Sequence, residues 1–268
     1  MTMITKLESR KDGQPLLTRD MANELLHIFL DMGEKLMGSG AEVKRVEDTL
    51  SRLGSAYGAD KMNVFVITSS IVVTMELPGG EKVTQTRRIL ETERTDFTSL
   101  ESLNELSRRC CDCPMTLEEL QGEMERLRTG YNGSLCYFGN ALAAGSHAFF
   151  FGGKLNDATF AALFGLLVCY LQKALVKFCP NNVIFNMITA FLTGIGICIV
   201  SKMVPILHSD KIMIGDIMLL IPGIAMTNSI SDILVGDTIS GIMRLIESIL
   251  WAGSLACGFM AAIWLIGS

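Results

Sequence analysis

The ionisable residues of this 268-residue chain are crowded into its first half. Residues 1–132 carry 17 Lys/Arg and 22 Asp/Glu, whereas residues 133–268 carry six of each. A stretch so poor in charge, built from apolar runs near the ~20 residues that cross ~30 Å of hydrocarbon, reads as lipid-embedded. The first half is large enough to bury a core of its own. The boundary falls near Tyr131-Asn132-Gly133. The same division explains a mean hydropathy of +0.38 beside 19% charged residues. The expected fold is therefore an α-helical membrane protein of about five transmembrane helices, preceded by a small cytoplasmic α+β domain.

Residues 1–17 are polar and read as a disordered leader, with no apolar signal region, which places the 18–132 domain in the cytoplasm. Thr18 or Asp20 can cap a first helix whose apolar face is Leu25, Leu26, Phe29, Met32 and Leu36. Gly38-Ser39-Gly40 ends it. Ser39 and Glu42 have the spacing of a capping box for a second helix, with Val43, Val46, Leu50, Leu53 and Tyr57 on its inner face. Asn63–Thr68, Ile71–Leu77 and Glu81–Arg88 read as strands, separated by turn residues such as Pro78-Gly79-Gly80. Helical spacing returns at Phe97, Leu100, Leu103 and Leu106. Thr116 and Glu119 form a second capping box for a last helix.

Several functions are excluded. The net charge of −5 is spread over mixed signs, so no basic patch offers a nucleic-acid surface. No phosphate-binding loop, nucleophile elbow or zinc-protease motif occurs, so the chain is not expected to be an enzyme and no cofactor or metal is implied. The eight cysteines read as reduced and structural, those in apolar segments behaving as small hydrophobes. His27 reads as a tolerated histidine beside an apolar face. Arg87-Arg88 either hold an anion or line a solvated strand edge.

In the second half, five apolar segments fit spans: about 134–151, 158–176, 183–204, 212–230 and 242–266. Small residues at four-residue spacing, Ala141 with Gly145 and Ser254 with Gly258 and Ala262, allow close helix approach. Polar residues inside the spans mark candidate substrate or coupling positions: Asn140, His147, Asn186 and Asp216. Thr189 adds a hydroxyl. The densest group surrounds a Pro-Gly pair in the fourth segment: Pro222, Gly223, Thr227, Asn228, Ser229, Asp232 and Asp237, followed by Arg244 and Glu247. Proline removes a backbone donor and clashes with the preceding turn, and freed backbone survives in a bilayer only where protein or water satisfies it. Pro222 lies roughly 16 Å beyond Lys211 at ~1.5 Å per residue, near the midplane, as in the broken helices of transporters. Arg244 and Glu247, three apart, can pair on one helix face; an unpaired Glu247 is a possible proton carrier.

These motifs carry a resemblance. Gly40-Ala41-Glu42-Val43 through Arg45-Val46-Glu47, Thr86-Arg87-Arg88, and Phe151-Gly152-Gly153 with Asp157 resemble the threonine/serine exporter (ThrE) family, in its longer N-terminal module. So does the run Gly215-Asp216, Leu220-Ile221-Pro222-Gly223, Thr227-Asn228-Ser229, Asp232, Gly236-Asp237 and Gly241. The resemblance covers roughly residues 20–266 and implies a plasma-membrane exporter of threonine, serine or related small carboxylates. Because the chain stops at Ser268, it resembles the larger subunit of a split, two-component exporter. That implies a smaller membrane subunit of the same family, an oligomer in lipid, and a small-molecule substrate. The split relatives include dicarboxylate (succinate) exporters. A membrane-anchored, metabolite-sensing regulatory subunit is the alternative of a different class.

Overall fold

A computed structural model describes residues 17–89, 96–127, 133–175, 179 and 181–266. The expected leader, residues 1–17, lies outside the described residues except for Leu17. Two compact units are formed. One comprises residues up to Thr129 together with Ile224–Arg244; the other comprises Gly130–Gly223 and Leu245–Ser268.

The first unit is α+β. Helices α1 (Arg19–Gly38) and α2 (Val43–Ala56) precede strands β1 (Lys61–Ile67), β2 (Ser70–Glu76) and β3 (Lys82–Arg88), then α3 (Phe97–Asp112) and α4 (Leu117–Arg126). Thr18 caps α1 by accepting the Met21 N–H. The strands form an antiparallel meander, β1-β2-β3, with Val64 opposite Val73 and Val73 opposite Gln85. Gly79 and Gly80 close the second hairpin at φ +110° and +85°, a region that side chains with a Cβ avoid. Helix α1 packs on β2 and β3, α2 packs on β1, and α3 and α4 pack against α1. The anticipated faces are the buried ones: Leu25, Phe29, Met32 and Leu36 meet Val46, Leu50, Ile71 and Leu103 in one core. The capping box of Thr116 and Glu119 is present.

The capping box expected from Ser39 and Glu42 does not form. Ser39 caps the C-terminus of α1, and Glu42 precedes α2 without a side-chain cap. Of the two arginines on the edge strand β3, Arg88 is exposed and Arg87 is engaged. Arg87 pairs with Asp31 at 2.7 Å and Glu34 at 3.6 Å, back on α1.

The second unit is all-helical. It contains α5 (Gly133–Phe150), α6 (Leu155–Leu175), α7 (Asn182–Met203) and α8 (Ser209–Leu220), and takes in α10 (Thr238–Ile266) from Leu245 onward. Its packing relies on small residues. A Cβ on Gly145 would lie 2.9 Å from the Ala158 carbonyl oxygen, and one on Gly258 would lie 2.5 Å from that of Met187. The four-residue spacings read in the sequence thus pack helices within the chain.

Five spans were expected. Among the described residues, three helices, α6, α7 and α10, are long and apolar enough to cross a membrane, or four if the broken pair α8 and α9 (Gly223–Val235) counts as one. The fourth segment is not one helix with a kink. Helix α8 stops at Leu220, Ile221 is extended at ψ 127°, and α9 starts at Gly223. The chain bends there by 51°. Twelve residues of α8 rise only about 18 Å.

Candidate functional site

The break follows from local chemistry. A residue before proline is pushed out of the helical region, and Ile221 obeys. Its N–H still closes the last turn of α8 on Ile217, and the Gly223 N–H returns to the Ile221 carbonyl at 2.8 Å. Ile221, Gly223 and Thr227 are exposed and Pro222 is half-buried.

Downstream of the break, the polar residues gather within the first unit. Asn228 donates to the Gly40 carbonyl at 2.9 Å. Asp232 accepts the Val43 N–H at 3.3 Å through Oδ1 and an Arg244 N–H at 2.8 Å through Oδ2. Arg244 also reaches the Ala41 carbonyl at 3.4 Å. The side chains of Arg244 and Asp232 are 2% and 1% exposed. Val43 opens α2, so Asp232 takes the place of the missing side-chain cap and sets its charge at the positive end of that helix. Asp237 donates its N–H to the Asp232 carbonyl at 2.9 Å. Beside it, Glu47 accepts the Val66 N–H at 3.2 Å. Burial, and less strongly Asp237, hold the Glu47 carboxyl above the ordinary carboxylate range, against the pull of the Val66 bond. Ser229, fully buried, donates to the Met226 carbonyl of its own helix.

The possible Arg244–Glu247 pair is absent. Arg244 is committed to Asp232, and Glu247 is exposed with no side-chain partner among the described residues.

In the second unit, Asp216 on α8 is fully buried, and neither carboxylate oxygen has a hydrogen-bond partner among the described residues. On α7 the Thr189 and Thr193 hydroxyls are likewise fully buried and unpartnered. Asn186 is half-buried on the same helix. Asn140 and His147 bond to their own helix, at the carbonyls of Cys136 (2.9 Å) and Ala143 (2.7 Å).

The sequence marked Asp157 only as a motif residue, with no role for it. Asp157, fully buried at the start of α6, accepts the N–H groups of Lys154 and His208, each at 2.8 Å, and His208 Nδ1 at 3.0 Å. It clamps the α5–α6 turn to the start of α8. Thr193 was missed; its signal was the four-residue step from Thr189 inside an apolar run.

In the first unit, α1, α3 and α4 border a cavity of about 1070 Å³, with Glu24, Asp31, Glu34, Asp96 and Glu125 on its wall. Asp31 and Glu34 are engaged by Arg87, and Asp96 caps α3 through the N–H groups of Thr98 and Ser99.

Comparison with known proteins identifies relatives. The family model for threonine/serine exporters (ThrE) matches residues 27–266. The threonine/serine exporter of Corynebacterium glutamicum is 20% identical over 242 residues, which is 87% of this chain and 50% of that protein. The chain thus spans about half the length of this curated relative. No solved structure matches the chain.

Proposed function

Because the chain belongs to the threonine/serine exporter family, we propose that it is a subunit of a secondary-active exporter of small amino acids in the plasma membrane. The carrying observation is Asp216, a carboxylate fully buried in a helix that ends at the break, with no protein partner for either oxygen. An ionisable group inside a span marks a transport or coupling position. A buried carboxylate without a cation repels a dicarboxylate and attracts an ammonium, which favours threonine or serine over succinate.

The hydrogen bonds of the first unit support an arrangement in the bilayer. Asn228, Asp232 and Arg244 hold the loop Gly40–Val43, so the α9–α10 turn lies on the same side as the sheet domain, which we assign to the cytoplasm. Within the second unit, Asp157 and His208 tie the α5–α6 and α7–α8 turns together. The backbone freed at Pro222 is the point at which substrate passes. Glu247 and the other exposed positions of α10 serve contact with neighbouring protein.

Three or four spans line a polar path poorly, since every polar group facing lipid is costly. The path is completed by a second, smaller membrane module of the same family, within an oligomer. The acid-walled cavity of the first unit supports one further role, metabolite sensing by the cytoplasmic domain.

The test is counterflow in reconstituted vesicles holding the chain alone or with its smaller partner. Threonine or serine exchange that requires both proteins is expected. Succinate exchange without threonine exchange would replace the substrate class, and no exchange of any of the three in either preparation would remove the exporter reading.

A further inference from the structure

Asp216, Thr189 and Thr193 share an unusual condition: each is fully buried, and each carries side-chain oxygen without a hydrogen bond. Helical threonine ordinarily satisfies its hydroxyl on the carbonyl four residues back, as Thr159 does on Leu155 at 2.8 Å. Neither Thr189 nor Thr193 does so. A buried polar atom left unmade costs about 1–3 kcal/mol, and a charged one more. Four such oxygens are expensive unless something else occupies them.

Helix geometry sets their directions and depths. At 100° per residue, the direction of each side chain is fixed by its neighbours. On α7, Gly194 faces Ala262 and Phe259 of α10, and Gly196 faces Phe164 of α6. Thr189 and Thr193 point between these two contacts, into the bundle. On α8, Gly215 abuts Ala144 and Ala148 of α5, and Asp216 turns about 100° away from that contact. Helices α7 and α8 pack on each other and are joined through the short turn Val204–His208, so they run back antiparallel. Thr193 lies about 16 Å along α7 from Val204, and Asp216 about 12 Å along α8 from His208. The depths of Thr193 and Asp216 agree to within one helical turn, and Thr189 lies about one turn beyond Thr193.

We propose that these oxygens form a binding site for a monovalent cationic centre, either a dehydrated alkali ion such as Na⁺ or the ammonium group of the transported amino acid. Carboxylate and hydroxyl oxygens are hard donors suited to both. One negative charge balances one positive charge, which fits a monovalent ion better than a divalent one. No thiol or imidazole is required. The ammonium arm rests on the exporter reading above; the sodium arm does not.

The experiment is thermal unfolding of the full chain, purified in detergent without sodium and titrated with sodium chloride, choline chloride or L-threonine. At a hundredfold excess over Kd the midpoint should rise by about 5 °C. A rise with sodium but not choline assigns the alkali ion, and a rise with L-threonine in choline buffer assigns the ammonium. In either case Thr193→Val, which keeps shape and removes the hydroxyl, should abolish most of the shift, as should Asp216→Asn. If neither sodium nor L-threonine moves the wild-type midpoint, or if Thr193→Val and Asp216→Asn keep the full shift, the site does not exist. The readout is binding alone, so a chain that shifts with sodium but supports no counterflow loses the exporter reading and keeps the site.

Discussion

Arg244 and Asp232 form an ion pair at 2.8 Å with side chains only 2% and 1% exposed. The same two residues hold the entrance to α2, through the Ala41 carbonyl and the Val43 N–H. Removing one member of a buried pair leaves the other charge stranded, at a cost of about 3–5 kcal/mol, while replacing both with apolar groups is often near neutral. Arg244→Met should therefore destabilise the chain by about that amount. The double change Arg244→Met with Asp232→Leu should recover part of the loss, short of wild type because the Val43 N–H has lost its acceptor. Unfolding midpoints of wild type, Arg244→Met and the double variant test this, and a double variant no better than Arg244→Met would contradict it.

Glu47 gives the first unit a pH dependence of definite sign. Burial raises its carboxyl above the ordinary carboxylate value, so the folded chain holds the proton more tightly than the unfolded chain. The stability this contributes is complete below the ordinary value and is lost as pH rises through the folded one. Glu47→Gln keeps an oxygen for the Val66 N–H and carries no charge. It should be more stable than wild type at pH 7 and gain nothing at pH 4. Denaturant titrations at the two pH values check this; equal gains at both would mean that the charge is not the cause.

Asp157 should matter more than its histidine partner. Its carboxylate holds two backbone N–H groups, of Lys154 and His208. Asp157→Ala strands both, each worth about 1–3 kcal/mol when buried. His208→Ala removes only the ring contact from a side chain that is 48% exposed, and exposed pairs contribute about 0–1 kcal/mol. Unfolding midpoints should fall clearly for the first variant and little for the second. Equal losses would show that the imidazole, and not the carboxylate, ties the turns together.

These variants also mark where sequence and structure part. The inner faces of α1 and α2, the meander and the break at Pro222 were readable because periodicity, turn residues and proline act over a few positions. The Ser39–Glu42 box was misread because its competitor, Asp232, is 189 residues from Val43. Arg244 was matched to Glu247 by helical spacing, but a buried carboxylate nearly three turns beyond the break binds it. Arg87 is claimed by α1 in the same way. Asp216 was legible as an acid in a span; its lack of a partner could be seen only once α5, α6 and α7 were packed around α8.

The break itself yields the last prediction. Pro222 forces Ile221 into an extended conformation and supplies no N–H, so α8 ends at Leu220. Helix α9 has separate anchors, through Asn228 on the Gly40 carbonyl and Asp232 on the Val43 N–H. Substituting Pro222→Ala removes the constraint on Ile221 and adds a donor that can continue the α8 ladder, while the α9 anchors persist. Insertion and the unfolding midpoint should then stay close to wild type, because an exposed turn is altered and no core contact is lost. Transport should still fall, by at least about tenfold, if the backbone freed at Pro222 is part of the substrate's route past the midplane. Asp216→Asn should give a comparable loss by a different cause, the removal of one buried charge at constant shape. Initial rates of threonine counterflow, measured for wild type and both variants at matched amounts in vesicles with the partner module, decide the point. Wild-type rates in Pro222→Ala would reduce the break to a packing feature, and wild-type rates in Asp216→Asn would take its charge out of the transport cycle.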